Sequence, residues 1–176
     1  FLGPSLNGGV KTMLPGEKDG QPWFEDRQHV QRARRVYIFE SAINALVTES
    51  CGLKMSAAIA LRGTGNASNI DWRFLVGKQV VICMDADEPD DKGVRPGAKA
   101  AWALYDALTA LNIGAIMVDQ KEWYELGYND AADIAERAGL DQLRTMLETH
   151  EPWVIPGLAG RDGPKGIQRV YLPGHD

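Results

Sequence analysis

The 176-residue sequence is poor in the features that mark several common protein classes. It has only two cysteines, Cys51 and Cys83, which lie far apart in apolar segments, so neither a disulfide framework nor a zinc-binding module is indicated. We expect both to be buried free thiols in a reducing compartment, and therefore a cytoplasmic protein. No apolar run approaches the roughly 20 residues of a membrane-spanning helix, so we expect no membrane partner.

An excess of positive charge is also absent. Nineteen basic against twenty-four acidic residues give a net charge of -5, which argues against a protein that coats nucleic acid by bulk charge, although a local basic patch remains open. The 44% hydrophobic and 24% charged content is that of a soluble globular protein, long enough for one domain with a core. Because the chain begins with Phe1, we expect it to be a piece of a longer protein.

The most informative stretch is the apolar run that ends in two acids, residues 80–87. Its β-branched residues predict a buried strand of a parallel sheet, and Asp85 and Asp87 follow at the carboxyl edge, where open α/β folds bind ligands. Two carboxylates held close together need a counter-charge. A divalent cation with oxygen ligands, such as Mg²⁺, Mn²⁺ or Ca²⁺, is the simplest one.

Other apolar segments predict three more strands, near residues 36–39, 56–61 and 115–118, with helices between and after them. Residues 119–129 are interpreted as a polar loop. Residues 10–14 are interpreted either as a short edge strand or as a partly ordered lead-in, and another short strand is expected near residues 167–172. This order predicts an α/β fold with a mainly parallel sheet and helices on both faces. Glu40 also follows a strand, so it should meet Asp85 and Asp87 at one edge.

These residues resemble the Toprim domain, the catalytic fold of DNA primases, topoisomerases and OLD-type nucleases. The first family motif, a strand ending in Glu, matches Glu40, and the second, a strand ending in Asp-x-Asp, matches Asp85 and Asp87. The glycine and Ala-rich helix of the second motif match the stretch from Gly97. The Gly63 turn and the pair Asn129-Asp130 add further similarity, the latter to primase-type members, over roughly residues 35–140.

The sequence departs from the family pattern at two places. Primase-like members often carry Asp where this chain has Asn44, which leaves one charge fewer near the site. The distance from Asp87 to Gly97 is also longer than usual, so the position of the motif glycine is open. All three motif acids are retained.

The resemblance implies a Rossmann-like Toprim fold over residues 35–150, a lead-in with a basic cluster over residues 1–34, and a Gly/Pro-rich linker or arm over residues 151–176. It implies that Asp85 and Asp87 bind Mg²⁺ or Mn²⁺, while Glu40 is the catalytic acid or base. The candidates for binding nucleic acid or nucleotide are Arg34, Arg35, Arg62, Lys99 and Lys121. The basic cluster consists of Arg27, His29, Arg32, Arg34 and Arg35. It is interpreted either as a solvated helix face or as a phosphate-contacting patch beside the acids.

The preferred parent is a DNA primase or primase-helicase of a phage or other mobile element, which synthesises RNA primers. Its partners would be template DNA, nucleotides and further zinc-binding or helicase domains. The alternatives are a nuclease of the OLD type and a non-catalytic Toprim module that binds nucleic acid or protein. A phosphatase of the haloacid dehalogenase type also uses Asp-x-Asp, but it needs Thr or Val where this chain has Pro89.

Overall fold

The computed structural model describes residues 20–93, 95–118 and 120–149. The elements follow in the order α1 Arg27–Arg32, β1 Arg35–Phe39, α2 Ala42–Ser50, β2 Ser56–Ala60, β3 Gln79–Cys83, α3 Pro96–Thr109, β4 Ala115–Met117, α4 Gln120–Glu125, α5 Ala131–Ala138 and α6 Leu140–Thr149. Two short 3₁₀ turns, Thr64–Asn66 and Trp72–Leu75, lie between β2 and β3.

The four strands form one sheet in the order β2-β1-β3-β4, and all of the pairings are parallel. Phe39, the last residue of β1, lies level with Ala60 of β2 and Cys83 of β3. The carboxyl ends of these three strands therefore reach the same height. The predicted α/β fold with a parallel four-stranded sheet is confirmed, and the strand of Val80 lies inside the sheet as expected.

Helices cover both faces of the sheet, which explains why the strands are apolar beyond their first residues. Val36 and Ile38 of β1 point to a core closed by α1 and α3, where Leu104 and Leu108 are fully buried. Tyr37 of β1 points to the opposite core, which is closed by α2, α4, α5 and α6. Period-two alternation thus divides each strand between two cores.

The second core contains both cysteines. Cys51 and Cys83 are buried and free, as predicted. Burial raises the pKa of both thiols, that of Cys83 well above its ordinary value. Because the thiolate is the reactive form, these side chains serve packing here.

The outer edge of β2 is covered within the chain. Trp23 exchanges two backbone hydrogen bonds with Ala60, of 2.8 and 2.9 Å. Further along the edge, Ala58 N donates to Glu49 Oε1 at 2.6 Å, and the ring of His29 lies 2.8 Å from the carbonyl of Ser56. These contacts satisfy groups that an open edge strand would offer to another chain. They also attach residues of the predicted lead-in to the domain.

One predicted loop is a helix, because residues 120–125 form α4 with Trp123 buried in the second core. The burial of Trp123 fixes this six-residue helix, which is too short for the helical periodicity of apolar residues to reveal. The extra strands expected near residues 10–14 and 167–172 lie outside the described residues. Within the described ranges, no helix has both the length and the apolar character needed to cross a membrane.

Candidate functional site

The sheet brings Glu40 and Asp85 to the same edge. Glu40 directly follows β1, and Asp85 comes two residues after β3, whose ends lie in register. Glu40, Asp85 and Asp87 are all half-buried. The common edge predicted for these acids follows from strand length and parallel pairing alone.

Asp85 has a strongly perturbed carboxyl group. Burial raises its pKa, and the negative charges of Glu40, Asp130 and Asp87 raise it further, to about 8. The charged neighbours that raise the pKa of Asp85 are thus acids. A carboxylate in this setting is stabilised by a cation and destabilised without one.

Asn44 gives Asp85 its hydrogen bond. This fully buried residue of α2 donates from Nδ2 to Asp85 Oδ1 at 3.2 Å. Its own Oδ1 accepts from the backbone N of Ala132 at 3.0 Å, so one amide connects α2, the acid and α5. The resemblance suggested only that Asn44 leaves the site with one charge fewer. The structure shows that Asn44 donates a hydrogen bond to Asp85.

Gly97 determines how closely α3 approaches the acids. A Cβ on this residue would lie 2.0 Å from the carbonyl oxygen of Asp85 and 3.1 Å from its carbonyl carbon. No other residue type fits without moving the backbone. The motif glycine, left open by the sequence spacing, is therefore at the position that the resemblance suggested.

The pair Asn129-Asp130 borders the same site. Ala86 N donates to the carbonyl of Asn129 at 2.7 Å, which attaches the segment between the two motif aspartates to the start of α5. Asp130 caps that helix by accepting from Asp133 N at 2.8 Å, and its charge acts on Asp85. Sequence reasoning treated the pair as a family signature but did not include Asp130 among the site residues.

Arg95 is a further site residue that sequence reasoning missed. Its Nη1 donates to the backbone carbonyl of Asp87 at 2.8 Å, and its guanidinium lies 4.4 Å from the centroid of the Tyr124 ring. These two contacts fix a positive charge beside the second motif aspartate. The sequence gives no sign that Arg95 contacts Tyr124, because this contact depends on how α4 packs against the loop that carries Arg95.

Two of the predicted basic residues lie at this edge. Arg62 and Gly63 both direct their backbone N–H groups to the carbonyl of Glu40, at 3.1 and 3.3 Å. Arg62 adopts φ 63° and Gly63 φ 109°, so the turn after β2 needs left-handed backbone at two successive positions. Lys99 is exposed on α3, and its N–H donates to the carbonyl of Arg95. These positions agree with their predicted role without testing it.

Two others lie at the wrong edge for that role. Arg34 and Arg35 stand at the amino end of β1, and Arg35 bonds Gln79, the first residue of β3, at 2.7 Å. At about 3.3 Å per residue, the strand separates Arg35 from Glu40 by roughly 16 Å. The interpretation of this cluster as a patch beside the acids is therefore wrong. Lys121 lies on α4, and its side chain is outside what the structure describes.

The donor chemistry at the edge fits a hard divalent cation, since Glu40, Asp87 and Asp130, whose charges act on Asp85, offer carboxylate oxygens. The acids are not, however, arranged as a finished ligand set. In the described part of the chain, no three His, Cys, Asp or Glu side chains are grouped so that they could hold a metal ion. Mutual repulsion of like charges is sufficient to keep such carboxylates apart.

Comparison with known proteins agrees with this geometry. A family model described as Toprim domain matches residues 35–141, well over half of the sequence. The search of curated proteins gave no match. The matched range includes all four strands, the acids Glu40, Asp85 and Asp87, and the pair Asn129-Asp130. The chain belongs to the Toprim domain family.

Proposed function

We propose that this Toprim domain catalyses Mg²⁺-dependent nucleotidyl transfer, as the primer-synthesising domain of a DNA primase or primase-helicase. Toprim domains are metal-binding modules of nucleic-acid processing, and they occur in primases, nucleases and topoisomerases. The observation that carries the proposal is the environment of Asp85, a half-buried carboxyl surrounded by the charges of Glu40, Asp130 and Asp87. Such a cluster favours a divalent cation.

In this proposal Asp85 and Asp87 hold the metal, and Glu40 moves the proton. The two aspartates are one residue apart after β3, whereas Glu40 comes from the neighbouring strand. The longer side chain of Glu40 accepts the proton of an attacking hydroxyl. When bound, a divalent cation neutralises charge on the phosphate oxygens and on the attacking and leaving oxygens.

Arg95 supplies the positive charge of the chain itself. Its contact with the Asp87 carbonyl and its stacking on Tyr124 hold the guanidinium still, so its remaining N–H groups are preorganised for a phosphate oxygen. Arg62 and Lys99 complete the proposed nucleotide-binding set at this edge. Template DNA and nucleotides are the proposed partners.

The choice of a primase over a nuclease is supported by the late pair Asn129-Asp130, which resembles primase-type members. Its packing against Ala86 makes it part of the site environment and more than a helix cap. If the chain binds metal but the parent protein synthesises no primer, the alternatives are an inactive metal-binding module and a nuclease.

The test combines calorimetric Mn²⁺ binding by this chain with primer synthesis and strand cleavage by the full-length parent. Asp85→Asn and Asp87→Asn should each weaken Mn²⁺ binding and abolish synthesis. Glu40→Gln should abolish synthesis while weakening Mn²⁺ binding less. Glu49→Gln, a partly buried acid on the far end of α2, is the matched control and should change neither.

Three results would change the assignment. If Glu40→Gln loses Mn²⁺ as severely as the aspartate variants, Glu40 is a metal ligand. Cleavage without synthesis would identify a nuclease. If synthesis persists in all three variants, these acids are not catalytic and the binding-module alternative is favoured.

A further inference from the structure

Asn44 stands out among the buried polar residues because both ends of its amide are engaged next to the acids. It lies in the first turn of α2, at 0% exposure, and its own N–H donates to the hydroxyl of Ser41 at 3.3 Å. The side chain extends from there between Asp85 and the start of α5. A buried side-chain amide with two such partners has a fixed position.

The orientation of the amide follows from its partners. The backbone N of Ala132 can only donate, so the atom of Asn44 that faces it at 3.0 Å must be the acceptor Oδ1. The nitrogen Nδ2 then necessarily faces Asp85 Oδ1, at 3.2 Å. Because a carboxyl oxygen accepts a hydrogen bond in either protonation state, this contact holds with and without a cation.

We propose that Asn44 is a positioning residue that orients Asp85 for a divalent cation. By engaging Oδ1, the amide leaves Oδ2 of Asp85 for the metal and fixes the rotation of the carboxylate. The bond to Ala132 ties this orientation to the start of α5, the helix that Asp130 caps. The inference rests on the proposed metal-dependent function, and it adds a residue that neither the motif acids nor the family match assigns.

Two substitutions separate this role from simple packing. Asn44→Ala removes the donor, so Asp85 loses its orientation and Mn²⁺ binding should weaken by about tenfold, the lower end of effects seen for residues that orient metal ligands. Asn44→Asp can still accept from Ala132 but places a second carboxylate oxygen opposite Asp85 Oδ1. Two carboxyl groups in contact cannot both ionise cheaply in the metal-free chain, and a bound cation removes that penalty.

The experiment measures the melting temperature of the chain without metal and with saturating Mg²⁺, together with the Mn²⁺ dissociation constant. A ligand that binds only the folded state raises the melting temperature according to its affinity. The increase caused by Mg²⁺ should be smaller than in the wild type for Asn44→Ala and larger for Asn44→Asp. Thr48→Val, a buried polar position one turn along α2, is the control and should keep the wild-type increase.

The outcomes distinguish the two proposals. If the wild type binds Mn²⁺ and Asn44→Ala binds it equally well, the role of Asn44 is refuted while the metal site stands. If both variants lower the melting temperature but keep the wild-type increase, Asn44 is a packing residue only. If the wild type binds no divalent cation, the proposed function and this inference both fail.

Discussion

Asp85 and Glu49 are two partly buried acids on the same side of the sheet, but the groups that surround their carboxylates differ. Burial raises the pKa of both. Glu49 receives the N–H of Ala58 at 2.6 Å and faces His29 at 3.3 Å, and both contacts favour its charged form. Asp85 receives one amide N–H from Asn44, and the charges that act on it come from acids.

The difference separates an acid that is held by partners within the domain from an acid whose neighbours favour a bound cation. The partners of Glu49 belong to the domain, because they cover the outer edge of β2. The charges that raise the pKa of Asp85 come from neighbouring acids, and a bound cation would favour its ionised form. The pattern of apolar residues in the sequence does not reveal this difference between Asp85 and Glu49, since both residues follow apolar segments.

The largest expected effect concerns the close packing of α3 against the backbone of Asp85. Gly97→Ala should lower the free energy of unfolding by about 3 kcal/mol, because the new Cβ overlaps the Asp85 carbonyl and the backbone must shift. Chemical denaturation measures this. Gly114→Ala, at the start of β4 near the opposite edge, has no atom within 4 Å of its Cβ and should cost little. Equal losses in the two variants would mean that α3 can move away without consequence.

The pH dependence of stability should identify Asp85 in the absence of metal. Its pKa of about 8 in the folded state lies above the ordinary value near 3.8, so between these values the folded chain holds a proton that the unfolded chain has released. This stability is present at low pH and is lost as pH rises toward 8. From pH 6 to pH 8 the loss should be roughly 2–3 kcal/mol.

Denaturation curves at several pH values, with chelator present, measure that slope. Asp85→Asn should flatten it and make the chain more stable than the wild type at pH 8. A wild-type slope that survives in Asp85→Asn would assign the proton to another group.

The third effect concerns Glu49. Glu49→Ala leaves Ala58 N without its acceptor and should destabilise the chain by about 2 kcal/mol. Glu49→Gln keeps an acceptor and should cost less, on the order of 0.5–1 kcal/mol. Neither variant should change the Mn²⁺ dissociation constant. A loss of metal affinity in Glu49→Ala would show that the two ends of α2 are coupled.

The sheet and its acids were predictable because they follow from short-range rules. β1, β2 and β3 are mainly apolar and buried on both faces, and parallel pairing puts Glu40 and Asp85 at one edge whatever the loops do. The contact of Asn44 with Asp85 was not predictable, since it spans 41 positions and depends on how α2 meets α5. Trp123 was read as a loop residue for the same reason, because its burial comes from tertiary packing.

The basic residues show how sequence proximity misleads. Arg35 is five positions from Glu40, and one interpretation of its cluster placed it beside the acids, but an extended strand carries five residues across the whole sheet. Arg95 is eight positions from Asp87, with a loop between them that folds back, and it contacts the Asp87 backbone. Arg35 is thus closer to the acids in sequence, whereas Arg95 is closer to them in the fold.

The smallest expected effect compares these two arginines directly. Arg95→Gln removes the charge held beside Asp87, so it should weaken binding of single-stranded DNA on the order of fivefold, about 1 kcal/mol. Arg34→Gln removes an exposed charge at the amino edge and should change the affinity much less. Fluorescence anisotropy at several salt concentrations, with Mg²⁺ held constant, measures both.

The salt dependence makes the comparison decisive. If Arg95 contacts a phosphate, its loss should reduce the slope of log affinity against log salt by about one, whatever the DNA sequence. Tyr124→Leu should have a weaker effect in the same direction, because the guanidinium stays but loses the ring that holds it. If Arg34→Gln instead produces the larger loss, the nucleic acid also follows the amino edge of the sheet, and the binding role predicted for Arg34 from sequence regains support.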